Sequence, residues 1–328
     1  MVGGSREEQA AEALRALTAT HQILHHVGYE SHIFDLGRSV LKLPRPIFLR
    51  HMTAAQELQQ RAEQMARLVH YAPRARARMV GLSAAGRRTS FSKAACIALL
   101  LRKGEPLAFL PSQTHIVSAE LARHLAHAHR QAADPTAALD RGHVADFLSF
   151  LLEVASRAQS SVLSCSLVAK VSEYAGSLVA NAVELPLNVR PGHGEPTLAN
   201  VIAIAGEPQW IDTGSGPLRL IDRVVDFGDD GPWDLGAFVQ SVRTAGGMDA
   251  VRIAVEAYAA SANHDRQKCL RVAMTWAIIW ILSTIAATVL HWHDLAEGRH
   301  DAHDWPAALV PPLQEAIEDF LKELQRNC

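Results

Sequence analysis

Two stretches of the sequence decide the fold: HGEPTLAN at residues 193–200 and LIDRVVDFGDDGPWDLGAF at residues 220–238. The first places a histidine, an acid and an amide directly before an apolar run, and the second is an apolar run that delivers Asp222. Between these runs lies the Gly/Pro-rich segment EPQWIDTGSGP, 207–217. Short apolar runs separated in this way predict a β-hairpin within residues 199–228, with the acid, the amide and Asp222 around its mouth.

Acidic and amide side chains at one end of a hairpin are suited to phosphoryl transfer. Mg²⁺ prefers carboxylate and carbonyl oxygens, so Asn200 and Asp222 are candidate ligands of a nucleotide-bound Mg²⁺. Glu195 would then face the incoming hydroxyl as its proton acceptor or orienting group. Lys42, on a predicted N-terminal hairpin, can supply the cation that the α- and β-phosphates require.

Strand signals are concentrated in the first third of the chain. Apolar periodicity predicts helices over residues 7–27 and 49–70, the second with Leu58, Ala62, Met65 and Val69 on its apolar face. The segment 29–46 has the alternating pattern and central turn of a β-hairpin. Apolar runs within residues 79–111 indicate further strands. From Ser118 onward the pattern is mostly helical, apart from the hairpin described above.

This order of elements predicts an α+β fold with two lobes. Residues 1–112 would form a small, sheet-containing N-terminal lobe that binds nucleotide. Residues 113–328 would form a large, mainly helical C-terminal lobe with the catalytic loop and the acceptor pocket. A ligand is expected in the cleft between two such lobes, because domain boundaries are a common position for binding sites.

The composition indicates a globular chain without a charged partner. Hydrophobic residues make up 48% of the sequence and charged residues 20%, which is typical of folded domains. A formal net charge of −2 gives no electrostatic reason to expect a nucleic-acid or membrane partner. The apolar segment 273–290 has about the minimum length to cross a bilayer, but its threonines, serine and tryptophans favour a buried core helix.

The cysteines and the N-terminus indicate a cytoplasmic protein. Cys96, Cys165, Cys269 and Cys328 form no CxxC pair, so we expect reduced thiols and neither a disulfide framework nor a zinc site. The charged, amphipathic N-terminus has no apolar core of the kind that a secretion signal contains.

The two opening stretches resemble the aminoglycoside phosphotransferase family of protein-kinase-like enzymes. Members carry a His-Gly-Asp-x-x-x-x-Asn loop, an Ile-Asp strand end and a Gly-Asp-x-x-x-Asp-Leu segment. VLKLPRP, 40–46, is similar to the family's phosphate-binding strand, and ELARHLAHAHRQAADPTAAL, 120–139, to its Leu-x-x-Leu-His helix. The matching blocks follow the family order from about residue 33 to about residue 240.

The resemblance implies a protein-kinase-like fold that transfers phosphate from ATP or GTP to a small-molecule hydroxyl. It implies that Lys42 binds phosphates and that Asn200 and Asp222 bind Mg²⁺. Asp234 would brace the catalytic loop. A hinge from Leu107 to Leu110 would hold the adenine.

Two positions depart from the family pattern. Glu195 stands where the family has aspartate, and the extra methylene moves the carboxylate by more than ~1 Å, a displacement that can cost ~10²-fold in rate. The glutamate that pairs with Lys42 is expected at Arg61, with Glu57 and Glu63 on either side. Glu57 is one helical turn from Arg61 and would share its face, so it is the favoured partner.

Several alternatives stay open at this point. The acceptor can be an antibiotic, in a resistance or self-protection enzyme, or a metabolite, in a housekeeping small-molecule kinase. A binding protein that kept the fold and lost the chemistry is a third possibility. C-terminal acids would suit a cationic acceptor, whereas Trp276, Trp280, Trp292 and Trp305 suggest an aromatic pocket. A monomer or a homodimer is expected.

Overall fold

The structure is a computed structural model that describes residues 5–25, 31–50, 52–106, 114–134, 139–157, 165–185, 187, 189, 192–211, 231–296 and 305–326. Contacts between Cα atoms divide the chain into two compact units. The first comprises Met1–Pro106 and Ile202–Ile211, and the second comprises Leu107–Val201 and Asp212–Cys328.

An antiparallel sheet with the strand order β1-β2-β3-β6-β4-β5 forms the centre of the first unit. Its strands are β1 (Ile23–His25), β2 (Ser31–Asp35), β3 (Ser39–Pro44), β4 (Arg78–Leu82), β5 (Arg88–Thr89) and β6 (Cys96–Arg102). The predicted N-terminal hairpin is confirmed as β2–β3. Gly37 makes its turn at φ +80°, a left-handed conformation that glycine adopts without steric cost.

Each face of this sheet is covered by one helix. Leu41 and Leu43 of β3 pack in a cluster with Ala10 and Ala13 of α1 (Arg6–Thr18). On the other face, Leu99 and Leu101 of β6 pack with Leu68 of α2 (Ala54–Tyr71). Because successive side chains of a strand alternate between faces, Lys42 lies on the α2 side of the sheet.

The predicted N-terminal helix is too long, because α1 ends at Thr18 and β1 begins at Ile23. The hydroxyls of Thr18 and Thr20 donate to the carbonyls of Leu14 and Ala16, at 2.8 and 3.3 Å. Threonine is a poor helix former, since its branched side chain loses freedom against the preceding turn. The helix therefore stops where threonines replace the alanines and leucines.

Helix α2 buries a polar face, which the apolar periodicity did not predict. Glu57, Arg61 and Gln64 are at most 4% exposed, whereas Val69, expected on the buried face, is 64% exposed. Two of these side chains bond to each other: Arg61 Nη1 donates to Gln64 Oε1 at 2.5 Å. Hydrogen bonding and charge pairing offset the free-energy cost of burying polar groups. The buried face of α2 is therefore the one that carries Glu57, Arg61 and Gln64, and not the one that the apolar residues mark.

The hairpin after the HGEPTLAN loop exists, but the segment predicted to separate its two strands itself begins with a strand. Strand β8 (Val201–Ile204) is followed by β9 (Glu207–Trp210), in a three-stranded sheet with β7 (Glu105–Pro106). Ala205 and Gly206 join the two strands at φ +56° and +79°. Two successive positive φ angles are typical of a tight type I′ turn. EPQW is therefore a strand, and the predicted second run at 218–228 lies outside the described residues.

The described part of the second unit is helical. Its helices are α3 (Thr114–Gln131), α4 (Arg141–Arg157), α5 (Cys165–Ala182), α6 (Gly231–Ala262), α7 (Arg266–Ala296) and α8 (Trp305–Arg326). Gly247, at φ +70°, kinks α6 into two segments.

Helix α7 lies in the core of this unit, as predicted, in contact with α4, α5, α6 and α8. Within the part of the chain that the structure describes, Arg266–Ala286 is the single helical segment long and apolar enough to cross a membrane, and its most apolar window is 78% buried by the protein itself. Burial of this kind is typical of a core helix. Cys269 on α7 is a buried free thiol, as is Cys96 on β6.

Candidate active site

The loop that carries Glu195 is held by the carboxylate of Asp234. Asp234 is fully buried in the first turn of α6. Its Oδ2 accepts from the backbone N–H of His193 at 2.5 Å, and its Oδ1 accepts from the N–H of Gly194 at 2.7 Å. Hydrogen bonds to an ionised acceptor are roughly twice as strong as those between neutral groups. The expectation that Asp234 braces this loop is confirmed.

Gly194 gives the loop its shape. Its φ of +92° lies in the region that favours glycine. The Gly194 carbonyl accepts from Trp233 Nε1 at 2.8 Å, so both sides of this residue are fixed by the start of α6. The indole of Trp233 stacks edge-on against Trp276, with ring centroids 6.5 Å apart.

Two buried aromatic side chains, His129 and Tyr258, continue the hydrogen bonding of Asp234 into the core. His129 Nε2 lies 3.1 Å from Asp234 Oδ2, and His129 Nδ1 lies 2.6 Å from the hydroxyl of Tyr258. His129 is 3% exposed and Tyr258 1% exposed. Burial raises the pKa of the Tyr258 hydroxyl well above 10.0, helped by nearby Cys269 and Asp234, so the phenol keeps its proton.

Asn200 closes the loop from its other end. Its Nδ2 donates to the carbonyl of Glu195 at 2.9 Å, and its N–H donates to the carbonyl of Thr197 at 3.0 Å. The Leu198 N–H donates to Ser241 Oγ of α6 at 3.1 Å. Residues Leu198–Asn200 thus form a short 3₁₀ helix that leads directly into β8.

Glu195 is half-buried, in contrast to the fully buried His193. The Glu195 N–H donates to His193 Nδ1 at 3.2 Å, and its carbonyl accepts from Thr197 N–H and from the Asn200 amide. The backbone of Glu195 is therefore fixed on both sides. A side chain that starts from a fixed backbone can be aimed at a bound hydroxyl, as a catalytic carboxylate requires.

The first unit contains the predicted phosphate-binding pair, Lys42 and Glu57. Lys42 is 8% exposed and pairs in register with Ile33 on β2 and Leu99 on β6. Glu57 is fully buried: Oε1 accepts from the Ile97 N–H at 2.7 Å, and Oε2 accepts from Arg6 Nη2 of α1. The assignment of Glu57 as the partner of Lys42 stays a prediction.

Burial raises the pKa of Glu57 above its ordinary value, while the Ile97 N–H, Arg6 and Arg61 lower it. The competing glutamate, Glu63, accepts from Gln59 on the exposed side of α2. Of the two glutamates that flank Arg61, the structure thus buries Glu57.

Several predicted site residues lie outside the described residues: the metal ligand Asp222 and the hinge residues Leu107 and Leu110. The same holds for the side chains of Trp292 and Trp305. Trp276 is described and is fully buried, with Nε1 donating to the carbonyl of Ala182 at 3.0 Å. It is a core residue of the second unit, so the suggestion that it lines an aromatic pocket is wrong.

The described ligand of the expected Mg²⁺ site has suitable chemistry. The Asn200 amide nitrogen is engaged by the Glu195 carbonyl, so the Oδ1 oxygen is the end of the amide that can bind a cation. Amide oxygens are ordinary ligands of hard cations. Asn200 therefore fits the group that the sequence motif implies.

Sequence reasoning missed the roles of His129, Tyr258, Trp233 and Ser241. His129 follows Leu121 and Leu125 at helical spacing on the buried face of α3. A histidine in line with core leucines is a detectable signal, because a buried imidazole needs hydrogen-bond partners. Its partners are distant in sequence, so their identity could not be read from α3.

No model of a known protein family matches the sequence. No curated protein matches it by sequence. Among solved structures, a choline/ethanolamine kinase family protein from Mesorhizobium loti matches with a TM-score of 0.58 at 15% identity, with 97% of each chain covered. A glucosamine kinase in complex with glucosamine, ADP and inorganic phosphate matches with a TM-score of 0.58 at 15% identity, covering 98% of this chain and 86% of that chain. A choline kinase from Cryptosporidium parvum Iowa II matches with a TM-score of 0.52 at 10% identity, covering 94% and 91%.

These likenesses confirm the predicted protein-kinase-like fold, with a small sheet-containing lobe and a large, mainly helical lobe. They extend over 94–98% of this chain and, at 10–15% identity, concern the fold alone. The narrower resemblance to aminoglycoside phosphotransferases rests on the sequence motifs.

Proposed function

We propose that this protein transfers the γ-phosphoryl group of ATP or GTP to a hydroxyl of a small molecule. The proposal rests on the two hydrogen bonds that Asp234 accepts from the His193 and Gly194 N–H groups. These bonds fix the start of the loop that carries Glu195 and Asn200. Phosphoryl transfer depends almost entirely on positioning and electrostatic stabilisation, so a rigid loop with a carboxylate and an amide is what it requires.

Each named residue has one task in this reaction. The acceptor oxygen attacks the γ-phosphorus as the bond to the β,γ-bridging oxygen breaks, and Glu195 orients the hydroxyl and takes its proton. Lys42 binds the phosphates of the donor. Asn200 and Asp222 would hold Mg²⁺, which neutralises phosphate charge when it is bound, and the segment with Leu107 and Leu110 would hold the base.

The acceptor class has two candidates. The motifs resemble antibiotic phosphotransferases, which favours an antibiotic. The structural neighbours are named choline/ethanolamine kinase and glucosamine kinase, which favours a metabolite such as an amino alcohol or an amino sugar. In either case we expect a cytoplasmic enzyme that acts as a monomer or homodimer, without a nucleic-acid or membrane partner.

A thermal-melt titration with ATP and GTP, with and without Mg²⁺, tests the nucleotide site without knowledge of the acceptor. A ligand that binds only the folded state stabilises it by about 2.7 kcal/mol at a hundredfold excess over Kd. We expect a Mg²⁺-dependent rise in Tm of several degrees in the wild type and in Asp146→Ala, a matched control on the exposed side of α4. The rise should be lost in Asp222→Ala.

A second candidate function is binding without catalysis, which the substitution of glutamate for the family's aspartate favours. Turnover separates it from the enzyme. A wild type that melts higher with Mg²⁺ and nucleotide, yet releases no ADP with any hydroxylated acceptor, would support a silent binding protein. Absence of any rise in Tm would overturn both candidates.

A further inference from the structure

A chain of hydrogen bonds runs through the core of the second unit and ends at the Glu195 loop. It starts at the Tyr258 hydroxyl on the second segment of α6, passes through His129 on α3 and reaches Asp234 at the start of α6. From Asp234 it continues to the N–H groups of His193 and Gly194. Every side chain in it is at most 3% exposed.

His129 links Tyr258 to Asp234, because its two ring nitrogens face one partner each. Nδ1 lies 2.6 Å from the Tyr258 hydroxyl, and Nε2 lies 3.1 Å from Asp234 Oδ2. Burial raises the pKa of the Tyr258 hydroxyl, so the phenol stays protonated and can form a hydrogen bond with Nδ1.

The position of the carboxylate decides where the loop lies. Both oxygens of Asp234 are engaged by consecutive N–H groups, so a shift of the carboxylate moves the Gly194 peptide directly. Glu195 is the next residue, and its own N–H is tied to His193 Nδ1. A displacement of the Gly194 peptide therefore also moves the Glu195 carboxylate, which faces the acceptor in the proposed reaction.

We propose that His129 and Tyr258 are positioning residues, which hold Asp234 and through it set the place of Glu195. The proposal rests on the proposed phosphoryl transfer for its catalytic consequence. Its structural part, the control of the loop by a tyrosine more than sixty residues from Glu195 in sequence, stands on the hydrogen bonds alone.

Amide hydrogen exchange of peptides covering residues 193–200 tests the structural part without an acceptor. In Tyr258→Phe and His129→Leu we expect the His193 and Gly194 amides to exchange roughly 5- to 10-fold faster, the effect of losing one buried hydrogen bond. His129→Gln keeps an N–H donor near Asp234 and should restore most of the protection. Tyr174→Phe is the matched control, because its hydroxyl accepts from Gln325 at an exposed position and takes no part in this chain of hydrogen bonds.

A second readout separates positioning from general loss of stability. Exchange in the α7 peptides should be unchanged in Tyr258→Phe, and equal acceleration in α7 and the loop would overturn the proposal. Unchanged exchange of the loop in both variants would overturn it as well.

Once an acceptor is known, kcat in Tyr258→Phe should fall about 10-fold with KM for nucleotide within about twofold. A change confined to KM contradicts a positioning role. If the wild type gives neither a nucleotide-dependent rise in Tm nor turnover, the proposed function fails, while the exchange experiment still decides whether the loop is controlled by Tyr258.

Discussion

Glu195 is longer by one methylene group than the aspartate that the resembling family carries at this position. Its backbone is held by the Asn200 amide and by His193 Nδ1, so the extra length is not absorbed by a freely moving main chain. In the proposed reaction, the acceptor hydroxyl must therefore lie at a distance that matches the longer side chain. Removal of the carboxylate and shortening of the side chain are therefore two separate tests of this residue.

We predict that Glu195→Gln lowers kcat by about 10²–10⁴-fold, the usual contribution of a general base. Glu195→Asp withdraws the carboxylate by more than ~1 Å and should cost about 10²-fold, although it recreates the family residue. ADP release measured against acceptor concentration checks both. The nucleotide-dependent rise in Tm should stay as in the wild type, and full turnover in Glu195→Gln would remove this residue from the mechanism.

Asp234 offers a second prediction at the scale of one residue. In Asp234→Asn a single oxygen replaces two, and an NH₂ group faces donors at the His193 or Gly194 N–H. We expect the free energy of unfolding to fall by about 3–5 kcal/mol, because breaking a buried charged network leaves its partners unsatisfied. Urea denaturation measures the change. Asp146→Asn, at an exposed position, should differ from the wild type by less than about 0.5 kcal/mol.

Site residues could be predicted where they belong to motifs with characteristic spacing, and not where they are far apart in the sequence. Asp234, Glu195 and Asn200 lie in motifs with characteristic spacing, and the contacts of Asp234 with the loop follow the prediction. The roles of Glu195 and Asn200 stay predictions. The contact of His129 with Tyr258 joins residues that are 129 positions apart, and no local pattern encodes such a pair. Only the fold brings α3 beside the second segment of α6.

Helix α6 can pack closely on α7 because residue 236 is a glycine, which has no Cβ atom. A Cβ atom at Gly236 would lie 2.4 Å from the Trp276 carbonyl carbon and 2.8 Å from the Ala277 nitrogen, which are backbone atoms. We therefore predict that Gly236→Ala lowers the free energy of unfolding by at least about 2 kcal/mol, since overpacking forces backbone shifts.

Gly176 in the middle of α5 is the matched control, because a Cβ added there meets nothing within 4 Å. Gly176→Ala should raise the free energy of unfolding by about 0.5–1 kcal/mol through helix propensity. Urea denaturation of the two variants decides the matter. Equal effects of the two substitutions would contradict the close packing of α6 on α7.

The pairing of Glu184 with Arg271 gives a prediction on pH. Arg271 donates to both oxygens of Glu184, with Nε at 2.7 Å from Oε2. This bond, together with the Arg271 charge, lowers the pKa of Glu184 below its ordinary value of 4.5. A carboxylate with a lowered folded pKa contributes stability above its unfolded pKa and loses it as pH falls through the folded pKa.

We accordingly expect Glu184→Gln to be less stable than the wild type by about 1 kcal/mol at neutral pH, as for a partly exposed bidentate pair. The difference should shrink as pH falls below 4.5 and vanish under more acidic conditions. Urea denaturation of both proteins across this range measures it. A difference that is constant with pH would show that the pair acts through packing and not through charge.

Helices and strands could be predicted where the local sequence signals agreed with one another. The β2–β3 hairpin has alternating residues and a glycine turn, and both signals agree. Helix α2 was placed correctly, but its buried face was assigned wrongly because Glu57, Arg61 and Gln64 are buried by pairing. Strand β9 was missed because EPQW has turn-like composition. Its place is set by Gln209 Oε1, which accepts from the Arg74 N–H at 2.9 Å.

At the scale of the whole molecule, each unit has a core of its own. The first is built on a sheet that α1 and α2 cover, and the second on α7 with the helices around it. Hydropathy alone does not distinguish a core helix from a membrane span at this length. The distinction comes from contacts on all sides of α7, which only a folded chain provides.

The charge distribution of the C-terminal helix bears on the acceptor. The described acids of α8 each have a basic side chain within 4.0 Å: Glu315 and Asp319 face Arg243, Glu318 faces Lys322, and Glu323 faces Arg252. Arg252 binds both oxygens of Glu323, at 2.9 and 2.6 Å. Carboxylates that are already paired offer little attraction to the amines of a polycationic ligand.

We therefore predict that a neutral or singly charged hydroxylated acceptor is phosphorylated with a higher kcat/KM than a polycationic aminoglycoside, by about tenfold or more. ADP release with such a panel at low and high salt is the measurement, because attraction of a polycation must weaken as salt rises. Arg243→Gln is the informative variant, since it removes the cation that faces Glu315 and the nearer of the two that face Asp319, and it should improve the aminoglycoside selectively. Efficient, strongly salt-dependent phosphorylation of the aminoglycoside by the wild type would contradict the prediction and return the acceptor to the class that the sequence motifs resemble.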